Sequence, residues 1–550
     1  MTKIRQLLPK ASVILFAVFA VHAQSGTAGH VNYLEYAQSQ FDPFTTAPDA
    51  NMQQWFRAHF ADMVVWSPYF DTKTSWFPNS IVYTNLYGIL QGSWIQYAHP
   101  EWILKDQYGN WLYIPFWCSG GTCPMYAGDI TNPAFRAYWL SQVQATMGQG
   151  NYSGIFIDDT NMLFRVSDGW YNQIQPVDNN TGQLMTYDAW RSYIAQFTEQ
   201  IRATFPYTKI MENVIWFAGP PGVNDSDPYI QRQIATATTI NLERGIASDP
   251  GMTGGTDFWS VYSFFNFIDR MHAAGKGINF EQYTLDPAGQ QYGLASYFMI
   301  SNGTDSLGDG SATPYNWFSG YDVDLGPALG PRTYNNGVFQ RNFAGGIVLL
   351  GEPDLAPQTI TLPGTFQTLD GSWVNSVTIS SRQGIILRGS TGPAQPAAPV
   401  TGTTHYLSDL SPTFLFNGWG AFQADRSIQG NPLTLNGVQY AKGLGVHAYS
   451  ELRYPLASYG GCSSLTATVG VDDEVPSGNA WEKFQVWADG YLLYDSGFLS
   501  SGSAAVPVNV NISGYQGLSL VLTNGIFMAP SSTISWDHGD WANASIACAN

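Results

Sequence analysis

Charge is scarce in this chain. Asp, Glu, Lys and Arg make up 12% of its 550 residues, with 23 basic against 41 acidic side chains and a net charge of −18. A protein so short of cations repels phosphate backbones, which argues against nucleic acid as a partner. Cysteine is almost missing, at four residues. Neither Cys118 and Cys123, in Cys-Ser-Gly-Gly-Thr-Cys, nor the distant Cys462 and Cys548 has the spacing of a zinc site. The eight histidines include no His-x-x-x-His metal pair. There is no Gly-x-Ser-x-Gly elbow and no phosphate-cradling P-loop. The residues therefore call for no metal and no cofactor. Long hydrophobic runs are also lacking. The apolar run at residues 11–21 is too short to span a bilayer, so no membrane span is expected. Preceded by Lys3, Arg5 and Lys10 and followed by Val21-His22-Ala23, it reads as a secretory signal over residues 1–23. That places the protein outside the cytoplasm, secreted or periplasmic.

An even number of cysteines fits an oxidising compartment. Three pairings are possible. Cys118 with Cys123 and Cys462 with Cys548 is favoured, because each bond then stays within one region of the chain. Aromatic residues, by contrast, are abundant at 15%. Their rings suit either a large core or stacking on the apolar faces of sugars.

The clearest seam is the uncharged stretch around residues 390–402, rich in Pro, Ala, Thr and Gly, which reads as a semi-stiff linker. Before it, strand-like and helix-like segments alternate. Strand candidates are residues 30–36, 63–66, 81–87, 154–158, 209–214, 238–243, 277–283 and 295–300. Helical periodicity covers residues 135–147, 187–205 and 258–274. Alternation of this kind predicts a parallel sheet with covering helices, and eight strands over this length match a (β/α)8 barrel. From about residue 334 short strands and turns replace the helices. After the seam all is strand and turn, as in a β-sandwich. The expected fold class is α/β: a (β/α)8 TIM barrel over residues 24–332, a small antiparallel β domain over 333–389, and a C-terminal β-sandwich over 403–550. The linker implies a sandwich that moves independently.

The most informative stretch is Gly154-Ile155-Phe156-Ile157-Asp158-Asp159, a fully apolar strand running into two carboxylates. Acids at the C-terminal end of a barrel strand sit where such barrels carry their chemistry. Glu212 with Asn213, Glu243, Glu281 and Asp305 fall at or beyond other strand ends. Capping of the next helix or an ion pair is the ordinary role of any one of them. A ring of them around one mouth is a site. Two carboxylates facing each other across a cleft suit glycosidic bond cleavage, one protonating the leaving oxygen and the other attacking or activating water. Asp158 and Glu243 are the expected pair. Asp159, Glu212, Asn213, Trp216, Glu281, Tyr283 and Asp305 are expected to bind substrate or support the pair.

The segments Asp129-Ile130-Thr131-Asn132-Pro133-Ala134-Phe135-Arg136, Tyr152-Ser153-Gly154-Ile155-Phe156-Ile157-Asp158-Asp159 and Arg341-Asn342-Phe343-Ala344-Gly345-Gly346-Ile347-Val348-Leu349 carry a resemblance. The first part of the chain resembles the hypothetical glycosyl hydrolases of the broad α-galactosidase-like group. The resemblance implies that the acid after strand four is nucleophile or base and the acid after strand six the proton donor, which again selects Asp158 and Glu243. The α-galactosidases proper have Asp after strand six and Lys before the nucleophile. This chain has Glu243, and Phe156 or Ile157, at those places.

After the seam, Asn417-Gly418-Trp419-Gly420, Tyr440-Ala441-Lys442-Gly443-Leu444-Gly445-Val446-His447-Ala448, Val469-Gly470-Val471-Asp472-Asp473-Glu474 and Asp537-His538-Gly539-Asp540-Trp541-Ala542 resemble the NPCBM carbohydrate-binding modules. The likeness implies a glycan-binding β-sandwich stapled by Cys462 and Cys548, with His447 and Trp541 as candidate sugar contacts for which a structural role within the sandwich is the favoured alternative. Some modules of this group bind calcium. The expected partner is a poly- or oligosaccharide. The rival readings are a glycan-binding protein without catalysis, and a lyase or transglycosylase on the same scaffold. The oligomeric state is not legible.

Overall fold

The computed structural model describes residues 28–214, 225–283, 286–308, 312–314, 316–389, 403–488, 491–524 and 534–549. The expected signal, Trp216 and the linker at 390–402 lie outside them.

Eight parallel strands form the first sheet: β1 (Leu34–Tyr36), β2 (Asp62–Val65), β3 (Ser80–Asn85), β4 (Tyr152–Asp158), β5 (Lys209–Asn213), β6 (Thr239–Leu242), β7 (Gly277–Glu281) and β8 (Ser306–Gly308). They neighbour one another in chain order, and a parallel bridge from Tyr33 to Leu307 brings the last strand back to the first. This is the expected barrel. Its helices include α1 (Ala50–His59), α2 (Pro133–Gln149), α3 (Tyr187–Thr204), α4 (Pro228–Thr236), α5 (Val261–Ala273) and α6 (Pro287–Ile300). Three of them start on an acid or amide followed by proline. Asn132, Asp227 and Asp286 accept backbone N–H bonds of the first turn, and the proline sits where no N–H is needed.

One expected strand is corrected. Residues 295–300 belong to α6, which is buried continuously from Tyr292 to Ile300. A helix buried all round has lost its polar face, so its apolar run imitates a strand. The eighth strand is instead the three residues of β8, too short and too polar to announce itself.

Side-chain alternation decides what the barrel holds. Leu34, Tyr36, Val64, Ile81, Phe156 and Met211 form one buried cluster, each from a position two apart from the next inward residue on its strand. Asn241 and Asn279 continue that lining as buried polar groups bonded to Tyr36.

A six-stranded antiparallel sheet follows, from Thr333–Asn335 to Gly384–Arg388. The last region is a sandwich of two antiparallel sheets. One is built on the long strand His538–Cys548, the other on Ser450–Pro455, Gly517–Thr523 and Lys483–Ala488. Cys118 bonds Cys123, and Cys462 bonds Cys548.

The sandwich is not free of the barrel. Phe414 and Phe416 of its second strand, Phe414–Asn417, belong to the same buried cluster as Trp55 and Phe60 of the barrel. Phe416 lies 6.1 Å from Trp55, Phe414 lies 6.0 Å from His59, and the Gln54 amide donates to the Thr413 carbonyl at 3.0 Å. A sandwich seated in the barrel's own core replaces the independently moving one read from the linker.

Candidate active site

Inward positions at the C-terminal ends of β3 to β7 converge at one mouth. Tyr83, Asp158, Asn213, Glu243, Glu281 and Tyr283 line a cleft of about 360 Å³, together with Tyr36, Trp66, Phe116, Phe156, Asp159 and Arg165. The period of two explains the choice. Phe156 packs inside the barrel, so Asp158 continues its face above it; Met211 does the same for Asn213.

Asp158 accepts three hydrogen bonds. The Tyr83 hydroxyl donates to Oδ2 at 2.7 Å, while the Asn213 amide and the Asp159 backbone N–H donate to Oδ1, each at 2.8 Å. The same Asn213 nitrogen donates to Oε2 of Glu243 at 3.3 Å. The two carboxylate oxygens therefore lie no farther apart than those two distances together, about 6 Å.

Asn213 is held the right way round by a buried chain of amides. Its Oδ1 accepts from Asn241 at 3.0 Å, and Asn241 Nδ2 also donates to Glu281 at 3.1 Å. Asn241 Oδ1 accepts from Tyr36 at 3.0 Å and from Asn279 at 2.6 Å. With its oxygen engaged below, Asn213 presents its N–H group to the acids.

Asp159 is buried and takes a left-handed backbone at φ 58°. It accepts from Asn85 at 2.6 Å and Asn161 at 3.1 Å, and pairs with Arg165 at 3.2 Å. Burial, then the charge of Asp158, pushes its carboxyl up to about 7, against the pull of Arg165. Glu281 is pushed up to about 8, first by burial and then by Glu243. Tyr283, half exposed at the lip, is hydrogen-bonded to Glu281 and Glu243.

Two expected contacts are placed elsewhere. Glu212 points out of the barrel, since its neighbours Met211 and Asn213 point in. It accepts from Thr236 of α4 at 2.9 Å, and burial pushes it up to about 7. Asp305 precedes β8 and so lies at the opposite rim. There it accepts from the N–H groups of Ile278 at 2.8 Å and Asn302 at 3.0 Å and contacts His272 at 2.9 Å. Tyr36, Tyr83, Asn241 and Asn279 were missed. Stepping back by two from each strand-end acid would have found Asn241 and Asn279.

A larger cavity, about 690 Å³, runs along the seam between barrel and sandwich. Its acids are committed to the docked surfaces. Glu451 pairs with Arg453, and Asp322 accepts from Trp317 at 3.0 Å. Asp322 and Glu451 do meet there, 3.7 and 3.8 Å from His59 Nε2, and burial, then the Glu451 charge, pushes Asp322 up to about 7; this pair lies on the docked surfaces, away from the barrel mouth.

In the sandwich, Trp541 is fully buried and packs edge-on to Phe484 at 5.2 Å, the structural role of its two expected ones. His447 sits among Trp419 at 5.6 Å and His538 at 5.2 Å, and burial lowers its ring to about 4. His538 contacts Glu474 at 2.9 Å. Trp419 and Trp536 flank His538 and are about half exposed. This aromatic cluster is the sandwich's own candidate sugar surface.

Comparison with known proteins agrees with this architecture. A protein of Renibacterium salmoninarum named as an endo-alpha-N-acetylgalactosaminidase is 36% identical over 164 residues, 28% of this chain and 10% of that protein. Alpha-1,3-galactosidase B of Akkermansia muciniphila is 30% identical over 128 residues, 22% of this chain and 15% of that protein. The chain thus spans a small part of both relatives. The solved CBM51 module from Clostridium perfringens GH95, in complex with methyl-galactose, is 34% identical, covering 26% of this chain and all of that one, with a TM-score of 0.25. Residues 403–547 match the NPCBM/NEW2 domain. Residues 69–347, half of the chain, match the family described as hypothetical glycosyl hydrolase family 15, and the chain belongs to it.

Proposed function

We propose that the protein is a secreted or periplasmic retaining glycosidase with Asp158 as nucleophile and Glu243 as general acid and base. The observation that carries this reading is the shared Asn213 donor, which holds one carboxylate oxygen of Asp158 within about 6 Å of one of Glu243. Retaining enzymes place their carboxyl groups about 5–5.5 Å apart, and inverting ones leave room for a water at about 6.5–9.5 Å.

In the first step Asp158 attacks the anomeric carbon while Glu243 gives its proton to the departing glycosidic oxygen. In the second, Glu243 takes a proton from water. The resulting hydroxide attacks the same carbon and releases Asp158. Three converging donors suit Asp158 to the anionic role. Asp159 and Glu281 support the pair, and Tyr283 closes the lip. The two disulfides and the carbohydrate module favour an extracytoplasmic setting. Galactose and N-acetylgalactosamine are the sugars to try first, being those in the relatives' names.

The test is digestion of a glycan panel containing both sugars in α-linkage, with released sugars read by mass. Wild type is expected to release sugar, while Asp158→Asn and Glu243→Gln release little. Hydrolysis undiminished in Asp158→Asn would remove the assignment. Binding of glycans with no release from the panel would favour the lectin-like alternative.

A further inference from the structure

Two loops rise beside the cleft. One, residues 115–124, is closed by the Cys118–Cys123 bond. The other covers residues 163–173. They are fastened together at the base, where Tyr113 and Ser167 exchange backbone hydrogen bonds at 2.9 and 2.8 Å. They are fastened again at the top, where the Cys118 N–H donates to the Tyr171 hydroxyl at 2.9 Å. Trp170 lies so close over Gly121 that a Cβ there would stand 2.9 Å from its ring.

What these fastenings hold up is a row of bare rings. Trp117 is 78% exposed, Trp170 63% and Tyr171 57%. Phe116 lines the cleft itself and stacks on Trp117, with centroids 5.1 Å apart and planes 11° from parallel. Trp117 and Tyr171 also take left-handed backbones, at φ 46° and 64°. Bulky side chains enter that region at a cost, and such strain survives only where the surroundings impose it. Both residues stay more than half exposed, although the Tyr171 hydroxyl is pinned by the Cys118 N–H. Exposed apolar patches of this kind mark binding surfaces.

We propose that Trp117, Trp170 and Tyr171, continuous with the cleft through Phe116, form a stacking platform for the part of a neutral glycan chain that extends beyond the cleft. The occupant follows from continuity and charge. Phe116 belongs to both surfaces, so a chain that extends from the cleft on the Phe116 side meets the platform. Pyranose rings offer flat C–H faces to such rings. A net charge of −18 disfavours polyanions. The proposal rests on the reading that the cleft holds a glycan. It adds that chain length, beyond the sugar at the scissile bond, sets affinity.

The test is hydroxyl-radical footprinting of full-length Asp158→Asn, with desialylated gastric mucin, whose O-glycans are extended oligosaccharides, as the long probe and free galactose and N-acetylgalactosamine as short ones. Mucin is expected to cut oxidation of Trp117 and Trp170 several-fold, and the free sugars to leave it unchanged. Unchanged oxidation under mucin overturns the platform. So does protection that appears on concentrating the protein without glycan, which would assign these rings to self-association.

A kinetic arm reads the same surface in the wild-type background. In Trp117→Ala/Trp170→Ala, the ratio of kcat/KM on mucin to kcat/KM on a 4-nitrophenyl glycoside is expected to fall about tenfold, through KM. Trp117→Phe should restore part of it. An unchanged ratio overturns the platform. Footprinting needs no turnover, so the two readings fail separately. A protected platform without mucin cleavage counts against the glycosidase, and cleavage with an unprotected platform counts against the platform.

Discussion

Asp158 and Glu243 are joined through a single nitrogen, Nδ2 of Asn213, which donates to the first at 2.8 Å and the second at 3.3 Å. Two acids from different strands are thereby held at a fixed separation by a group that touches both. Asn213→Ala is expected to lower kcat by roughly 100-fold, the size of effect that small misplacements of reacting groups produce, with a smaller change in KM. Steady-state kinetics on a cleaved glycoside would check this. A change confined to KM would mean that Asn213 merely binds sugar.

The same separation predicts a stereochemical result. With Asp158 as the nucleophile, the product should first form with the anomeric configuration of the substrate. Proton NMR of the early reaction mixture distinguishes the anomers before they equilibrate. Initial release of the opposite anomer would turn Asp158 from nucleophile into base.

Glu281 gives a pH prediction. Its folded-state carboxyl titrates at about 8, raised by burial and by Glu243, against an ordinary value near 4.5. Between those values the folded state keeps a proton that the unfolded chain has released. Stability from this group is therefore greatest at low pH and falls as pH rises towards 8. Glu281→Gln copies the protonated form and can still accept from Asn241. Its melting temperature should exceed that of wild type by more at pH 8 than at pH 5. Wild-type kcat/KM is expected to fall through about pH 8, and the fall should be weaker in the variant. Parallel melting curves at the two pH values would show that Glu281 does not carry the effect.

The legible parts were those governed by one local rule. The apolar run of β4 and the acids at its end needed no tertiary information, and the Asn132-Pro133 start of α2 is written in two residues. Glu212 was misplaced for want of parity. It stands at a strand end like Glu243, but one residue out of phase with the inward face set by Met211 and Asn213. The strand end says which rim a residue reaches, and the alternation says which side of the wall. Asp305 failed on the first of these because α6, buried all round, was read as the last strand. The amide chain Asn213–Asn241–Asn279 has no sequence motif, since its members lie on three strands and meet only when the barrel closes.

The seam between barrel and sandwich was equally invisible, because Phe414 and Phe416 alternate in their strand as any half-buried pair would. In the fold they finish the aromatic core around Trp55, whose ring stacks on His59 at 4.0 Å. Removing residues 403–550 would leave that face of the barrel bare, whatever the linker permits. The truncated barrel is therefore expected to melt several degrees below the barrel transition of the full chain. Phe416→Ala should lower that transition too, since emptying a buried Phe site costs about 3–5 kcal/mol. Differential scanning calorimetry on the three proteins would decide it. If the sandwich were only tethered, truncation would leave the barrel's melting temperature where it was, and Phe416→Ala would act on the sandwich transition alone. A shared transition ties the aromatic cluster around Trp419 to the catalytic mouth as parts of one rigid body, so that a glycan held by one is presented to the other in a restricted set of orientations.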